Sequence, residues 1–319
     1  MYYVGIDLGG TNIAVGVCDE NYQIVGRAET KTNAPRPCEE ICADMVKVTK
    51  EAVANAGATM EDVAWIGIGS PGAIDPETGV VEFANNLSFE HAPMGEIMRE
   101  MTGKEIYIEN DANAAAYGEA VAGAAKGTQN SVMITLGTGV GGGVIIEGKV
   151  FSGWNHFGTE LGHTVLVRNG RQCSCGRKGC WEAYASVSGL IYQTKLAMIN
   201  DNASVMWEIV GGDINKVNGR TAFDAMRKGD KSGKAVVDEY IGYVATGVTD
   251  MVNIFQPEVL CVGGGISKEG ETLLAPIRET VNAETYGRYS KKMSKICAAE
   301  LGNDAGIIGA AFLGRAMQK

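Results

Sequence analysis

Apolar residues along the chain recur with two periods, the alternation of a strand and the three-to-four spacing of a helix. Tyr2 to Ile6 and Ile13 to Cys18 are apolar runs divided by a glycine turn, which predicts a hairpin, and Ile24 to Glu29 follows as a third antiparallel strand. Beyond Pro35 and Pro37, the residues Ile41, Met45, Val48 and Ala52 fall on one helical stripe closed by Gly57. Val63 to Ile68 predicts a buried strand that runs into Gly69-Ser70-Pro71-Gly72. Met94, Ile97, Met98 and Met101 mark a second helix, Ile106 to Ile108 a short strand, and Ala112 to Ala125 an alanine-rich helix.

The opening pattern then returns. Val132-Met133-Ile134-Thr135-Leu136-Gly137-Thr138-Gly139 repeats Val4-Gly5-Ile6-Asp7-Leu8-Gly9-Gly10-Thr11, and each copy has an apolar return strand, Ala14 to Val17 and Gly142 to Ile145. Such a repeat predicts two similar lobes. Later come a helix from about Lys234 to Phe255, with Val237, Ile241, Val244, Val248 and Met251 on one face, and a strand Val259 to Val262 ending in Gly263-Gly264-Gly265. A last helix from about Asp304 carries Ile308, Ala311 and Phe312 as its apolar face.

Composition narrows the function. The chain has 319 residues, 45% of them hydrophobic, enough for two cored lobes. Its 28 basic and 38 acidic residues leave a net charge of -10 without any basic run, which argues against nucleic-acid partners and anionic membrane surfaces. No stretch approaches the ~20 apolar residues of a spanning helix, and no signal-peptide pattern precedes Asp7. A cytoplasmic protein is expected. Glycine is the outlier, 44 residues against an average usage of about 7%, which points to places where backbone approaches a ligand closely.

Three glycine turns fit that description. Asp7-Leu8-Gly9-Gly10-Thr11-Asn12 lies at a strand end, where converging backbone N–H groups hold a phosphate and Asp7 supplies a carboxylate for Mg²⁺. The second turn, Gly137-Thr138-Gly139 and the following glycines, has the donors but carries Thr135 in place of Asp7. The third, at Gly264 and Gly265, permits the flat approach of a nucleoside. Any one of them is compatible with a plain tight turn; together with Asp7 they read as a nucleotide site. Neither a G-x-x-x-x-G-K-[ST] loop nor a strand-G-x-G-x-x-G-helix unit is present.

Glu109-Asn110-Asp111-Ala112-Asn113 sits between a strand and the alanine-rich helix. Asp111 there is either a helix N-cap or the carboxylate that removes a proton from an attacking hydroxyl in phosphoryl transfer. The sharpest local signal is His163 with Cys173-Ser174-Cys175-Gly176-Arg177-Lys178-Gly179-Cys180. Three thiolates and an imidazole form a closed tetrahedral Zn²⁺ set, hence a structural one, expected to hold His163, Glu160 and Glu182 in place. His91 and His156 lack ligand-spaced neighbours and are expected in loops or on the surface.

Taken together these residues resemble the ROK family of sugar kinases and sugar-responsive repressors over essentially the whole chain. The likeness rests on the Asp7 turn, Gly69-Ser70-Pro71-Gly72, Asn86-Leu87, Glu109 to Ala114, Leu136 to Gly141, Glu160-Leu161-Gly162-His163, the cysteine run through Glu182, Gly263-Gly264-Gly265 and Asp304-Ala305-Gly306. It implies a two-lobed actin-like (ribonuclease H-like) ATPase fold of α/β class with a zinc-binding loop in the second lobe. The lobes would span 1–117 and 118–303, with the helix 304–319 packing back on the first, and ATP and sugar in the cleft. It also implies that Asp111 is the general base for a sugar's 6-hydroxyl and that Gly72, Asn86, Asn110, Asp111, Glu160, His163 and Glu182 bind the sugar. Asp7, Gly9, Gly10, Thr11 and Asn12 with Mg²⁺, and Gly137, Thr138 and Gly139, would clamp the phosphates of ATP, while Gly264 and Gly265 line the adenosine. Phosphorylation of glucose is the first expectation. N-acetylmannosamine, N-acetylglucosamine, fructose or allose remain open, as does a non-catalytic sugar sensor. Repressors of the family carry a helix-turn-helix before the first turn, whereas the first strand here begins at Tyr2. A homodimer is implied by resemblance alone.

Overall fold

In the computed structural model, which describes residues 1–317, the first three apolar runs are strands β1 (Tyr2–Leu8), β2 (Asn12–Cys18) and β3 (Ile24–Lys31), and the stripe ending at Gly57 is α1 (Cys38–Asn55). Ile41, Met45, Val48 and Ala52 are all buried, as their spacing requires. Next come β4 (Val63–Ser70), then β5 (Ala73–Asp75), β6 (Val80–Ala84) and β7 (Phe89–Ala92), which form a small antiparallel sheet, then α2 (Met94–Thr102), β8 (Glu105–Asn110) and α3 (Asp111–Ala122). The first large sheet has the order β3-β2-β1-β4-β8. Because β1, β4 and β8 are parallel, their carboxyl ends coincide: Asp7 lies opposite Gly69, Gly69 opposite Glu109, and Ser70 opposite Asn110. Ligands of open α/β sheets collect at such ends.

The remainder runs β9 (Ser131–Leu136), β10 (Val140–Ile146), β11 (Lys149–Val150), α4 (Glu182–Ala185), α5 (Val187–Asn200), α6 (Met206–Ile209), α7 (Thr221–Arg227), α8 (Lys231–Phe255), β12 (Val259–Gly263), α9 (Glu271–Glu284), β13 (Lys295–Ala298) and α10 (Asp304–Met317). The second large sheet, β11-β10-β9-β12-β13, repeats the strand order of the first when each is counted from its own first strand. The sequence repeat is therefore a repeat of topology. The fold is mixed α/β.

The chain divides into two compact units. The first comprises Met1–Met133, Gly142–Thr159 and the chain from Ala299 onward; the second comprises Ile134–Gly141 and Glu160–Ala298. A boundary at 117/118 falls inside α3, which runs on to Ala122, and residues 118–133 belong with the first unit. Within the first unit α10 packs backbone to backbone on the sheet and on α3: a Cβ on Gly67 would sit 1.7 Å from the Ala310 carbonyl oxygen, and one on Gly309 would sit 1.6 Å from that of Ala114. The fully buried Glu119 carboxylate accepts hydrogen bonds from the backbone N–H groups of Ala124, Glu300 and Leu301, which ties the approach to α10 onto the end of α3. Within the second unit the buried Trp181 indole donates to the Tyr243 carbonyl (2.8 Å) and Tyr240 donates to that of Ala185 (2.9 Å), locking α4 against α8. Among the described residues no helix is long and apolar enough to cross a membrane.

Candidate active site

In the first unit the turn between β1 and β2 is closed by the Gly9 N–H donating to the Asn12 carbonyl (2.9 Å), and Thr32 braces it by donating its hydroxyl to the Gly9 carbonyl (2.6 Å). Gly10, Thr11 and Asn12 are exposed at its tip, with the Asn12 amide oxygen held by Lys31 (2.8 Å). Asn86 is next to this tip; its Cβ lies 3.4 Å from where a Gly10 side chain would begin. Gly306, in the first turn of α10, leaves only 3.2 Å between its Cβ position and the Asp7 carboxylate. Thr32 carries no motif that sequence reading could have used.

Asp111 proves not to be the cap. Asn110 caps α3, accepting from the N–H groups of Ala112 (2.9 Å) and Asn113 (3.2 Å) while donating to the Gly72 carbonyl (3.0 Å). Asp111 is thereby the first helical residue, half-buried, and its carboxylate accepts from the Ala112 N–H (2.8 Å). Burial pushes its pKa up, opposed by that hydrogen bond. Asp7 is pushed up to about 6, by burial first and by the charge of Asp111 second. The charge of Asp111 thus disfavours ionisation of Asp7, both residues standing at the carboxyl ends of the parallel strands. A divalent cation or an arriving proton relieves that repulsion.

Behind Asp111 stands Glu109, only 2% exposed, whose carboxylate accepts from the Asn110 N–H (2.9 Å) and the Asn113 amide (3.0 Å). The Asn113 oxygen accepts in turn from the Thr159 hydroxyl (3.3 Å). These bonds fix the Asn110-Asp111 corner from inside. His91 pairs with Glu82 (2.6 Å) on the exposed side of the short strand β7, and His156, in a loop, meets the Ser152 hydroxyl (3.1 Å).

In the second unit the Gly137 N–H donates to the Gly139 carbonyl (3.0 Å), and the start of α5 is anchored on this turn by Val187 N–H to the Gly137 carbonyl (2.8 Å) and Ser188 hydroxyl to the Thr138 carbonyl (2.8 Å). Gly264 takes φ +87°, and a Cβ there would fall 2.3 Å from the Leu136 carbonyl oxygen, so the third glycine turn lies directly against the second. Gly265 faces open space. Glu182 joins two of the expected parts: one oxygen accepts from the Val140 N–H (3.1 Å), the other from the Ser174 hydroxyl of the cysteine loop (2.9 Å). A cleft of about 340 Å³ opens here, lined by Thr138, Gly139, Arg171, Ser174, Glu182 and Ser188. Glu160 is exposed, and its carbonyl accepts from the His163 N–H (3.0 Å). The expected sugar residues are therefore shared out, with Gly72, Asn86, Asn110 and Asp111 in the first unit and Glu160, His163 and Glu182 in the second.

The ligand atoms of His163, Cys173, Cys175 and Cys180 all lie within 4.8 Å of one another. The Cys175 and Cys180 sulfurs are 3.6 Å apart and Cys173 sulfur is 3.7 Å from His163 Nδ1. At a Zn–S distance of about 2.3 Å, a tetrahedral edge is roughly 3.8 Å, so the four groups fit that ion. The loop achieves this by folding on itself, with Cys173 N–H bonded to the Arg177 carbonyl (2.9 Å) and Gly179 at φ +82°, where a Cβ would strike the Val167 carbonyl at 1.7 Å.

The chain is similar to known proteins over nearly its whole length. The sequence model of the ROK family matches residues 3–317. A glucokinase of Thermotoga maritima is 35% identical over 315 residues, covering 97% of this chain and 96% of its own length. A glucokinase of Streptomyces coelicolor is 37% identical over 316 residues, covering 98% and 97%. Among solved structures, a ROK family glucokinase from Streptomyces griseus in complex with glucose and AMPPNP has 36% identity and a TM-score of 0.81, covering 99% of each chain.

Proposed function

The chain belongs to the ROK family, and from that premise we propose that it is an ATP-dependent hexose kinase that converts glucose to glucose 6-phosphate in the cytoplasm. The observation that carries this reading is the Asp111 carboxylate, released from helix capping by Asn110 and raised in pKa by burial. Full-length similarity to glucokinases supports glucose as the acceptor.

Asp111 accepts the proton of the 6-hydroxyl as that oxygen attacks the γ-phosphorus of ATP. The new O–P bond forms, the bond to the β,γ-bridging oxygen breaks, and its electron pair leaves with ADP. A raised pKa brings the base nearer the working pH, where proton acceptance is most effective. Glu109 and Asn113 hold the base in place from behind. Asp7, with the Gly9 to Asn12 turn, would hold Mg²⁺ and phosphate oxygens; the ion would neutralise charge developing on the phosphates. Gly137, Thr138 and Gly139 present backbone donors to the phosphates, and the adjoining Gly264 and Gly265 receive the adenosine.

Gly72, Asn86, Asn110, Glu160, His163 and Glu182 bind the sugar hydroxyls, which favours acceptors that satisfy all of them. His163, Cys173, Cys175 and Cys180 would hold a structural Zn²⁺ that rigidifies the loop against Glu182. The two units correspond on this reading to the lobes of an actin-like fold, and the enzyme works as a homodimer. The test is ADP release with glucose, mannose, fructose, allose, N-acetylglucosamine and N-acetylmannosamine. Glucose is expected to give the highest kcat/KM; turnover of none of the six would overturn the proposal.

A further inference from the structure

We infer that Thr32, anchored by Arg36, is a positioning residue for ATP: it sets the direction in which the peptide units of the Gly9 to Asn12 turn present their N–H groups. This rests on the part of the kinase reading that seats phosphates on that turn, and deepens it by tracing ATP affinity to two residues outside the turn. Thr32 follows β3 and is fully buried, whereas Gly10, Thr11 and Asn12 are exposed. Its backbone N–H donates to the Thr11 carbonyl (2.9 Å) and its hydroxyl to the Gly9 carbonyl (2.6 Å). A single residue thus holds two carbonyls of the turn.

A peptide unit is planar and trans, so its C=O and N–H point in opposite directions. Drawing the Gly9 carbonyl towards the buried Thr32 therefore turns the Gly10 N–H outward, and drawing the Thr11 carbonyl inward does the same for the Asn12 N–H. Neither the Gly10 nor the Thr11 N–H has an acceptor among the described residues. Outward N–H groups receive an anion, whereas a carbonyl rotated outward would repel phosphate oxygens. Gly9 and Gly10 lack the Cβ that would restrict such rotation. The Gly9 N–H bond to the Asn12 carbonyl closes the turn but leaves the Gly9 and Thr11 carbonyls uncommitted, so their direction depends on Thr32.

Thr32 is itself held from behind. Arg36 Nε donates to the Thr32 carbonyl (2.8 Å), and the same guanidinium pairs with Asp44 on α1. The Arg36 side chain is only 20% exposed, so this pair is not a freely solvated surface bridge. α1 is fixed in turn by its buried stripe. The order is α1, Arg36, Thr32 and then the carbonyls of the phosphate turn, all within the first unit. Lys31, by contrast, reaches only the Asn12 side chain (2.8 Å) and fixes no peptide plane.

The test is calorimetric titration of the full chain with ATP and Mg²⁺ in the absence of sugar, alongside steady-state ADP release with glucose. Thr32→Val keeps the branched shape and loses the hydroxyl, which frees the Gly9 carbonyl to turn toward the phosphates. It is expected to weaken ATP binding and raise the KM for ATP at least about 10-fold. Its kcat at saturating ATP and its KM for glucose should stay within about 2-fold of wild type. Thr32→Ser keeps the hydroxyl and should bind ATP within about 2-fold of wild type, although loss of a buried methyl lowers its Tm. Arg36→Met should weaken ATP binding about 3-fold and carries the test should Thr32→Val not fold. Affinity that follows the hydroxyl and not the Tm is what a merely structural role would not produce. A Thr32→Val protein that binds ATP as tightly as wild type overturns the inference, as do equal rises in the KM for ATP and for glucose, a Thr32→Ser protein as weak as Thr32→Val, or an Arg36→Met protein with unchanged ATP affinity. A wild type that binds ATP but phosphorylates no sugar, with Thr32→Val still about 10-fold weaker, would sink the kinase reading and leave this one standing; a wild type that binds no ATP overturns both.

Discussion

Replacing Asp7 by Asn is expected to stabilise the protein while removing activity. Burial and the neighbouring Asp111 raise the Asp7 carboxyl from 3.8 to about 6, and at about 1.4 kcal/mol per pH unit this corresponds to about 3 kcal/mol by which the folded state disfavours the ionised form. The folded chain holds this proton more tightly than the unfolded chain, so stability falls as pH rises from about 4 through about 6 and stays at its lower value above. An amide in place of the carboxylate carries no such charge. The gain from Asp7→Asn is therefore near zero below pH 4, grows between pH 4 and 6, and reaches an upper bound of about 3 kcal/mol at pH 7, or roughly 2 to 5 °C in Tm for a chain of this size. Thermal denaturation of wild type and variant at pH 4, 5, 6 and 7 measures it. Activity should drop at least about 100-fold, since the carboxylate that would hold Mg²⁺ is lost. A variant less stable than wild type at pH 7, or a difference independent of pH, refutes the electrostatic account of the Asp7 and Asp111 pair.

Other outcomes follow from particular contacts. Gly309→Ala should destabilise by about 3 kcal/mol or more, because the new Cβ meets a backbone oxygen that only a shift of α10 can vacate. By contrast Gly242→Ala, on an exposed position of α8 with nothing within 4 Å, should stabilise by about 0.5 to 1 kcal/mol; denaturant melts of the pair check both signs. Elemental analysis should find about one zinc per chain, and Cys175→Ser should lose the metal and raise the KM for glucose about 10-fold. A fully active metal-free protein would contradict this.

Much of the architecture was legible because its elements are periodic. The stripe from Ile41 to Ala52, the long face of α8 and the strands that precede glycine turns follow burial directly. The repeat of Val4 to Thr11 at Val132 to Gly139 corresponds to a shared strand order. The sheet of β5, β6 and β7 escaped notice because its strands are three to five residues long, too short for a period. α9 was hidden by Pro276 in its interior. Asp111 and Asn110 are both good capping residues, so only the geometry separates the cap from the candidate base. The glycine surplus was legible only in part. Gly9, Gly137 and Gly264 lie at the expected turns, but Gly5, Gly67, Gly118 and Gly309 serve close packing of α10 against partners that include residues more than 180 positions away, which no local pattern reveals.

The central claim is that Asp111 removes the proton from the 6-hydroxyl of glucose as phosphate leaves ATP. Steady-state ADP release by Asp111→Asn, with glucose 6-phosphate followed in parallel, tests it most directly. The predicted result is a kcat reduced at least about 1,000-fold with the KM for glucose within a few-fold of wild type, since loss of the base removes catalysis while the other sugar contacts remain. A variant that retains more than about a tenth of the wild-type kcat would contradict it.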